Sequence, residues 1–222
     1  MRFSVRIFMA ELLGTFGLVI AATGSIVYDD IHSQNLGLGF ISLMHLLGLW
    51  IVVSVFGKYS MAHFNPAVTI GFAITRHARW SDVPTYLVAQ CVGGMLGSVF
   101  VLYTLGHHAD LGLNRPDYSL GLPFFFGAEV LATIFLMVGI LCIVSTKVHG
   151  IVTGLVVGSI VAFDVWFLGP VSGASMNPIR SLAPVVMTGI IHDVWLYITA
   201  PLLGVLMPAL LYRWRMNLQR SN

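Results

Sequence analysis

Apolar residues fill six long stretches of the sequence, and short polar segments separate them. A helix that spans a bilayer needs about 20 mostly apolar residues. Six stretches meet that length: residues 6–27, 36–57, 83–106, 121–145, 150–168 and 193–213. Two more, residues 65–76 and 177–190, are too short. The pattern predicts an all-α membrane protein with six transmembrane helices and two re-entrant half-helices, which a membrane tolerates only inside protein or beside a water-filled cavity.

Both short stretches open with the same dipeptide, Asn65-Pro66 in the first half and Asn177-Pro178 in the second. Asn before Pro is a helix start, because Asn caps free backbone N–H groups and Pro suits the first helical position. Two helices that begin inside a membrane aim the positive ends of their dipoles at one point. We predict that Asn65 and Asn177 meet at the centre of a pore and turn their amide donors into it. Helix capping alone is the alternative.

The two halves of the chain repeat. Ala-Glu-Leu-Leu-Gly-Thr at residues 10–15 matches Ala-Glu-Val-Leu-Ala-Thr at residues 128–133. The glutamate of each segment precedes its Asn-Pro pair by a similar distance, 65 − 11 = 54 positions and 177 − 129 = 48 positions. Three spans per repeat is an odd number, so the second repeat must be inverted in the membrane, an arrangement typical of transport proteins. We predict one channel domain, residues 1–222, built from inverted repeats 1–112 and 113–222.

The composition also indicates an integral membrane protein. Hydrophobic residues make up 57% of the chain and charged residues 9%, and the mean hydropathy is +0.89, whereas soluble domains carry about 25% charged residues. The net charge of +2 is too small to suggest a nucleic-acid partner. Cys91 and Cys142 lie in apolar stretches and are predicted to be small buried hydrophobes. No metal, cofactor, hydrolytic or redox motif stands out, so we predict a non-enzyme without a cofactor.

The charge distribution predicts the orientation. If the amino terminus is cytoplasmic, nine of the eleven basic residues fall inside: Arg2, Arg6, Lys58, Arg76, Arg79, Lys147, Arg213, Arg215 and Arg220. Six aspartates are then predicted outside: Asp29, Asp30, Asp110, Asp117, Asp164 and Asp193. Because cytoplasmic loops carry an excess of Lys and Arg, we predict that both termini are cytoplasmic. The plasma membrane is the expected location.

Several polar residues fall at membrane depth. Arg180 follows Asn177 by about one helical turn. A permanent charge so deep must face water or a pore, where it would repel cations and bind neutral polar solutes. A snorkelling structural Arg is the alternative. His45 is predicted near the outer end of its span, at the level of Arg180, and His63 beside the inner vestibule.

Glu11 and Glu129 occupy equivalent positions in the two repeats. We favour a structural role, in which each buried carboxylate accepts hydrogen bonds from the unsatisfied backbone of one re-entrant segment. The alternative is a proton relay, which predicts saturable uptake driven by a pH gradient.

These motifs resemble the aquaporin (major intrinsic protein) family over essentially the whole chain. The matching parts are the Ala-Glu starts of spans one and four and residues 63–69, 173–180 and 195–201. The resemblance implies an aquaporin-like fold, an hourglass pore in each monomer, and a homotetramer in the lipid bilayer. It also places an outer selectivity filter at His45, Val165, Ala174 and Arg180. That set is similar to the filter of plant tonoplast intrinsic proteins, some of which pass ammonia as well as water.

Three further positions bear on the pore. Glycerol facilitators usually carry Asp after the filter Arg, and Ser181 stands there instead, which favours a water-type channel. Asn114 falls where the family's outer loop often reaches toward the filter. The second motif reads Asn-Pro-Ile rather than Asn-Pro-Ala, so Ile179 is expected to meet Ala67 where the half-helix tips pack; neighbours must absorb its bulk or the tips shift. The predicted tip residues are Pro66, Ala67, Pro178 and Ile179.

We therefore predict a passive channel that conducts water in single file, together with ammonia or other small neutral solutes, and excludes protons and ions. Apolar side chains form one wall of the predicted pore, and backbone carbonyls of two extended segments form the other. These carbonyls belong to Ala62, His63, Phe64, Gly173, Ala174, Ser175 and Met176. The alternatives are a facilitator for glycerol or another small polyol and, less favoured, a proton-coupled secondary transporter.

Overall fold

A computed structural model describes residues 4–146 and 148–221, in which the chain is helical and its connections are loops and turns. The helices are α1 (Val5–Ile31), α2 (Gly37–Ser60), α3 (Pro66–Ile74), α4 (Val83–Leu105), α5 (Leu122–Ser145), α6 (Gly150–Ser172), α7 (Pro178–Thr188) and α8 (Val194–Ser221). Six of these helices are long and apolar enough to cross a membrane. The predicted all-α fold class is confirmed, and the chain is an integral membrane protein.

Each predicted span is a helix, although three helices continue at least four residues past the predicted ends at residues 27, 168 and 213. α1 reaches Ile31, α6 reaches Ser172 and α8 reaches Ser221. Hydropathy marks the apolar part of a helix, whereas backbone hydrogen bonds carry the helix into polar residues. The polar last turn of α1 stabilises the next helix, because Asp29 Oδ1 accepts hydrogen bonds from the backbone N–H groups of Leu36 (3.0 Å) and Gly37 (2.9 Å).

The two short apolar stretches form the half-helices α3 and α7, of 9 and 11 residues. At 1.5 Å per residue, neither approaches the bilayer core of about 30 Å. Each begins at the proline of an Asn-Pro pair. α3 packs against α4 and α8, and α7 contacts the same two helices. The long helices thus enclose the half-helices, as polar backbone ends in a membrane require.

Glycines bring the long helices close together. A Cβ atom added at Gly93 of α4 would lie 2.3 Å from the carbonyl oxygen of Leu12 on α1. A Cβ atom at Gly154 of α6 would lie 2.7 Å from the carbonyl oxygen of Trp50 on α2. Side chains at these positions would force the backbones apart. This is the small-residue packing typical of membrane helices.

Two predictions about side-chain placement are wrong. Cys91 and Cys142 are exposed on the surface of the bundle instead of buried. In a membrane the outer face of a helix is as apolar as the inner face, so an apolar stretch does not reveal which side is buried.

Asp164 was expected outside the membrane, but it lies within α6, two helical turns before the end of that helix, and is fully buried. Neither oxygen of its carboxylate has a hydrogen-bond partner within the described ranges. Residue 164 also lies inside the predicted span 150–168, so the expected outside position conflicted with that span itself. Arg2 and Lys147, which entered the orientation argument, lie outside the described residues.

Candidate functional site

A cavity lies within the bundle beside the first turns of α3 and α7. The polar part of its lining comes from both halves of the chain: His45, His63, Asn65, Ser175, Asn177 and Arg180. The facing wall is apolar and includes Val53, Val68, Leu136, Ile140, Val157 and Val161. A smaller cavity adjoins it beside Phe72 and Ile143 and shares part of the apolar wall. The lining of this cavity thus combines a polar and an apolar set of side chains.

The two asparagines use their side chains in the same way. Oδ1 of Asn65 accepts the N–H of Ala67 (2.9 Å), and Oδ1 of Asn177 accepts the N–H of Ile179 (3.1 Å), so each caps its own half-helix. Each Nδ2 then crosses to the other half of the chain. Asn65 donates to the carbonyl of Met176 (2.7 Å), and Asn177 donates to the carbonyl of Phe64 (2.9 Å). An amide group has two N–H bonds, so one hydrogen of each remains for the cavity.

The extended segments before the half-helices have an unusual backbone. Ala62 and Phe64 have φ angles of 51° and 45°, and Ala174 and Met176 have φ angles of 43° and 53°. The left-handed region costs a residue with a side chain about 1–2 kcal/mol, so surrounding contacts must hold both segments in place. The same conformation recurs 112 positions apart, 174 − 62 and 176 − 64.

Glu11 holds the first of these segments. Its Oε1 accepts hydrogen bonds from the Ser60 hydroxyl (2.6 Å) and the His63 N–H (2.9 Å). Its Oε2 accepts from the Phe64 N–H (2.8 Å) and from Nε2 of Gln90 (2.8 Å). The side chain is fully buried. Four donors occupy the carboxylate, which is the arrangement proposed for the structural role.

Glu129 makes the corresponding contacts in the second half. Its Oε2 accepts from the Ser172 hydroxyl (3.0 Å) and the Ser175 N–H (3.1 Å), and its Oε1 accepts from the Met176 N–H. This carboxylate is also fully buried. Both re-entrant backbones therefore direct N–H groups that lack helical partners at a buried acid.

Sequence reasoning missed the residues that complete these two networks. Tyr86 donates its hydroxyl to the Ser60 carbonyl (2.8 Å), and Tyr197 donates to the Ser172 carbonyl (2.6 Å). Ser60 and Ser172 stand 112 positions apart, and the tyrosines 111 apart. Extending the repeat beyond the Glu and Asn-Pro motifs would have found both pairs. Gln90 has no such counterpart, because Pro201 stands 111 positions later.

The four predicted filter residues divide into two groups. His45 and Arg180 line the cavity, whereas Val165 and Ala174 are buried in the adjoining apolar cluster. Nδ1 of His45 is 2.8 Å from the carbonyl of Ile41. A carbonyl oxygen only accepts hydrogen bonds, so Nδ1 carries the proton, and in the neutral ring Nε2 presents a lone pair. The cavity therefore has an acceptor at His45 and donors at Arg180.

The loop between α4 and α5, residues 106–121, holds the Arg180 guanidinium. Its Nη1 donates to the carbonyl of Gly112 (2.9 Å) and to Oδ1 of Asn114. The turn before Asn114, residues 109–112, consists of four residues with positive φ angles between 43° and 71°. At its far end Tyr118 donates its hydroxyl to Asp193. Burial and that hydrogen bond raise the pKa of Tyr118 to about 12, so the phenol remains a donor.

His63 lines the central cavity, next to Ala62, which lines both this cavity and the smaller one. Its ring stacks on Tyr86, with centroids 4.0 Å apart and an interplanar angle of 17°. Nδ1 lies 3.1 Å from Oγ1 of Thr69. That hydroxyl also donates to the Asn65 carbonyl (3.0 Å) and accepts from Gln90 (2.9 Å). The imidazole is thus fixed in orientation beside the pore.

Ile179 does not face the cavity. Its side chain is buried against α4, where a Cβ atom at Gly94 would lie 2.7 Å from Cγ1 of Ile179. The missing side chain at Gly94 provides the space that the larger residue needs. Ile179 therefore packs away from the lumen, and its bulk need not narrow the pore.

Six helices that can span a membrane surround two half-helices, each capped by an asparagine. The two half-helices begin beside a central cavity. This arrangement defines a membrane channel. The sequence profile described as "Major intrinsic protein" matches residues 2–212. The chain belongs to this family. Its members are channels, so the protein is a channel for water or small solutes and not an enzyme.

Plant proteins are among its relatives. "Probable aquaporin NIP7-1" of Arabidopsis thaliana is 36% identical over 212 residues, which cover 94% of this chain and 76% of that protein. "Nodulin-26" of Glycine max is 36% identical over 207 residues, which cover 92% of this chain and 75% of that protein. Both of these plant proteins are thus similar to this chain over more than nine-tenths of its length. The likeness of the filter to tonoplast proteins stays a prediction from four positions.

A solved structure supports the fold independently. The X-ray structure of the aquaglyceroporin from Plasmodium falciparum superimposes with a TM-score of 0.83 and covers 94% of this chain and 95% of that one. Sequence identity is 24%. At that identity the likeness shows the fold alone.

The contact between Gly94 and Ile179 can be tested with a pair of substitutions. Gly94→Ala introduces a methyl group that collides with Ile179, and overpacking of this kind costs about 1–3 kcal/mol. We expect a lower unfolding temperature in detergent, largely restored by Ile179→Ala in the same chain. Gly127→Ala is the control, because a Cβ atom there meets nothing within 4 Å. Equal destabilisation with and without Ile179 would contradict the pairing.

A second test separates the two roles considered for Glu11. Glu11→Gln turns an amide N–H₂ group toward donors on one side of the former carboxylate, and each unsatisfied buried donor costs about 1–3 kcal/mol. We expect lower stability in chemical unfolding measured in detergent. Asp110→Asn, at an exposed ion pair with Arg115, is the matched control and should change stability little. Unchanged stability together with loss of pH-driven uptake would favour a relay.

Proposed function

We propose that the protein conducts water in single file, passes ammonia and similar small neutral solutes, and excludes protons and ions. The observation that carries the proposal is the arrangement of the two amides. Asn65 and Asn177 each retain one N–H for the cavity after capping a helix and bonding to the opposite half. Fixed donors at one point orient the oxygen of a passing water molecule.

The walls on either side of this point suit a file of small polar molecules. Ala62, His63, Ser175 and Met176 of the extended segments line the cavity, where their carbonyl oxygens are suited to accept hydrogen bonds. Three of the predicted carbonyls, at Phe64, Gly173 and Met176, also accept a side-chain donor from the protein. The apolar wall offers no partners, so a solute must exchange hydrogen bonds along one side only.

The outer end of the cavity supports the choice of solute. His45 supplies an acceptor and Arg180 supplies donors at the predicted filter level. Ammonia has three N–H donors and one lone pair, and water has two of each, so both can use this pair. The other two predicted filter residues, Val165 and Ala174, are small and apolar and add no charge.

Electrostatics favours neutral solutes. The N-terminal ends of α3 and α7 carry partial positive charge, and both point at the cavity through their Asn caps. Arg180 adds a full positive charge. Cations and hydronium therefore meet a barrier at both levels. The two acids considered for a relay, Glu11 and Glu129, are occupied by donors from the re-entrant segments.

We further propose a homotetramer with four separate pores, with both termini in the cytoplasm and residence in the plasma membrane. The family resemblance supports the tetramer, and the clustering of basic residues on one side supports the orientation. The exposed apolar side chains around the bundle are suited to lipid and to neighbouring subunits.

Stopped-flow light scattering on proteoliposomes under an osmotic gradient tests the water pore. We expect shrinkage much faster than in empty liposomes, with a low activation energy. Asn177→Ala should reduce water permeability per folded tetramer, because the amide donor and the cap are both lost. A folded tetramer no faster than empty liposomes would refute water conduction. Iso-osmotic uptake of glycerol or of methylamine by the same vesicles would then identify the conducted solute.

A further inference from the structure

Asn114 of the outer loop occupies a fully determined orientation beside the filter. It is 3% exposed, and its Nδ2 donates to the Gly173 carbonyl (2.7 Å). Its Oδ1 accepts from Nη1 of Arg180 and from the hydroxyl of Ser181 (2.7 Å). A carbonyl only accepts and a guanidinium only donates, so the oxygen and nitrogen of this amide cannot exchange places.

The Ser181 hydroxyl belongs to a chain of hydrogen bonds that reaches the pore centre. Oγ of Ser181 and Oγ of Ser175 are 2.5 Å apart. Because Ser181 uses its proton on Asn114, the contact depends on the one proton of Ser175, which also faces the carbonyl of Asn177 at 2.9 Å. Ser175 in turn accepts the N–H of Asn177 (3.3 Å). Both serines are at least 94% buried, so the chain is shielded from competing bulk water.

The other repeat connects its equivalent hydroxyl to a different partner. Thr69 stands four positions after Asn65, as Ser181 stands four after Asn177. Thr69 accepts from Gln90, which also donates to the buried carboxylate of Glu11. The hydroxyl of the first repeat thus joins a supporting network, whereas the hydroxyl of the second joins the guanidinium in the cavity wall.

Arg180 depends on this support for its position. Nη1 of the guanidinium donates two hydrogen bonds, and both go to the outer loop, at Gly112 and Asn114. Nε is buried without a partner within the described ranges. A displaced Asn114 would leave Gly112 as the one remaining acceptor among these, and the guanidinium would then be free to swing into the cavity that it lines.

We propose that Ser181 is a positioning residue of the filter: its hydroxyl fixes Oδ1 of Asn114, and Asn114 holds the guanidinium of Arg180 back from the lumen. This inference rests on the proposed function, since it assigns the position of Arg180 a role in permeation. Ser181, which in the sequence only indicated a water-type channel, thereby has a structural role in holding the filter.

The test measures water permeability per tetramer in proteoliposomes. Loss of one hydrogen bond allows a change of about threefold to tenfold, and we expect Ser181→Ala to lower water permeability by that factor. Ser181→Thr, which keeps the hydroxyl, should stay near the wild type. In an Arg180→Val chain, the same Ser181→Ala change should have little effect, because no guanidinium remains to move.

Asn114→Ala removes the acceptor itself and should lower permeability as Ser181→Ala does, with no further loss when the two are combined. It also keeps the test decisive if Ser181→Ala folds poorly. Ser98→Ala, at another buried hydroxyl, is the control and should match the wild type. Wild-type permeability in Ser181→Ala, or an equal loss without Arg180, would overturn the inference. A wild type that conducts no water would instead refute the proposed function.

Discussion

Hydrogen bonds from re-entrant backbone to two buried carboxylates are the contacts on which the rest of this channel depends. A membrane interior supplies no water for free N–H groups, and the segments before α3 and α7 cannot form helical bonds. Glu11 accepts the N–H groups of His63 and Phe64, and Glu129 accepts those of Ser175 and Met176. Without these acceptors the strained left-handed residues of both segments would lack a compensating interaction.

The same segments connect the two halves of the molecule. Asn65 donates to Met176, and Asn177 donates to Phe64, so each half-helix is joined to the extended segment of the other. The position of each amide is therefore set by the opposite half as well as by its own helix. Packing also joins the two halves, since Ile179 of α7 fills the space left by Gly94 of α4.

The two repeats share most of their supporting contacts and differ around Arg180. Ser60 and Ser172, Tyr86 and Tyr197, and the two glutamates make matching contacts. The outer loop then adds Asn114, whose side-chain oxygen Oδ1 accepts a hydrogen bond from Arg180. The two halves thus share a supporting frame, and they differ in the contacts that hold Arg180.

The sequence by itself determined the spans, the two half-helices and the asparagines at their starts, because hydrophobic length and Asn-Pro capping are local properties. It also identified Glu11 and Glu129, since a charge at membrane depth is conspicuous. It misplaced Cys91, Cys142 and Asp164, because hydropathy does not reveal which side of a lipid-embedded helix is buried. Only the tertiary structure decided that Ile179 packs on Gly94 and that Oδ1 of Asn114 is the atom that accepts from Arg180, since these contacts join residues 85 and 66 positions apart.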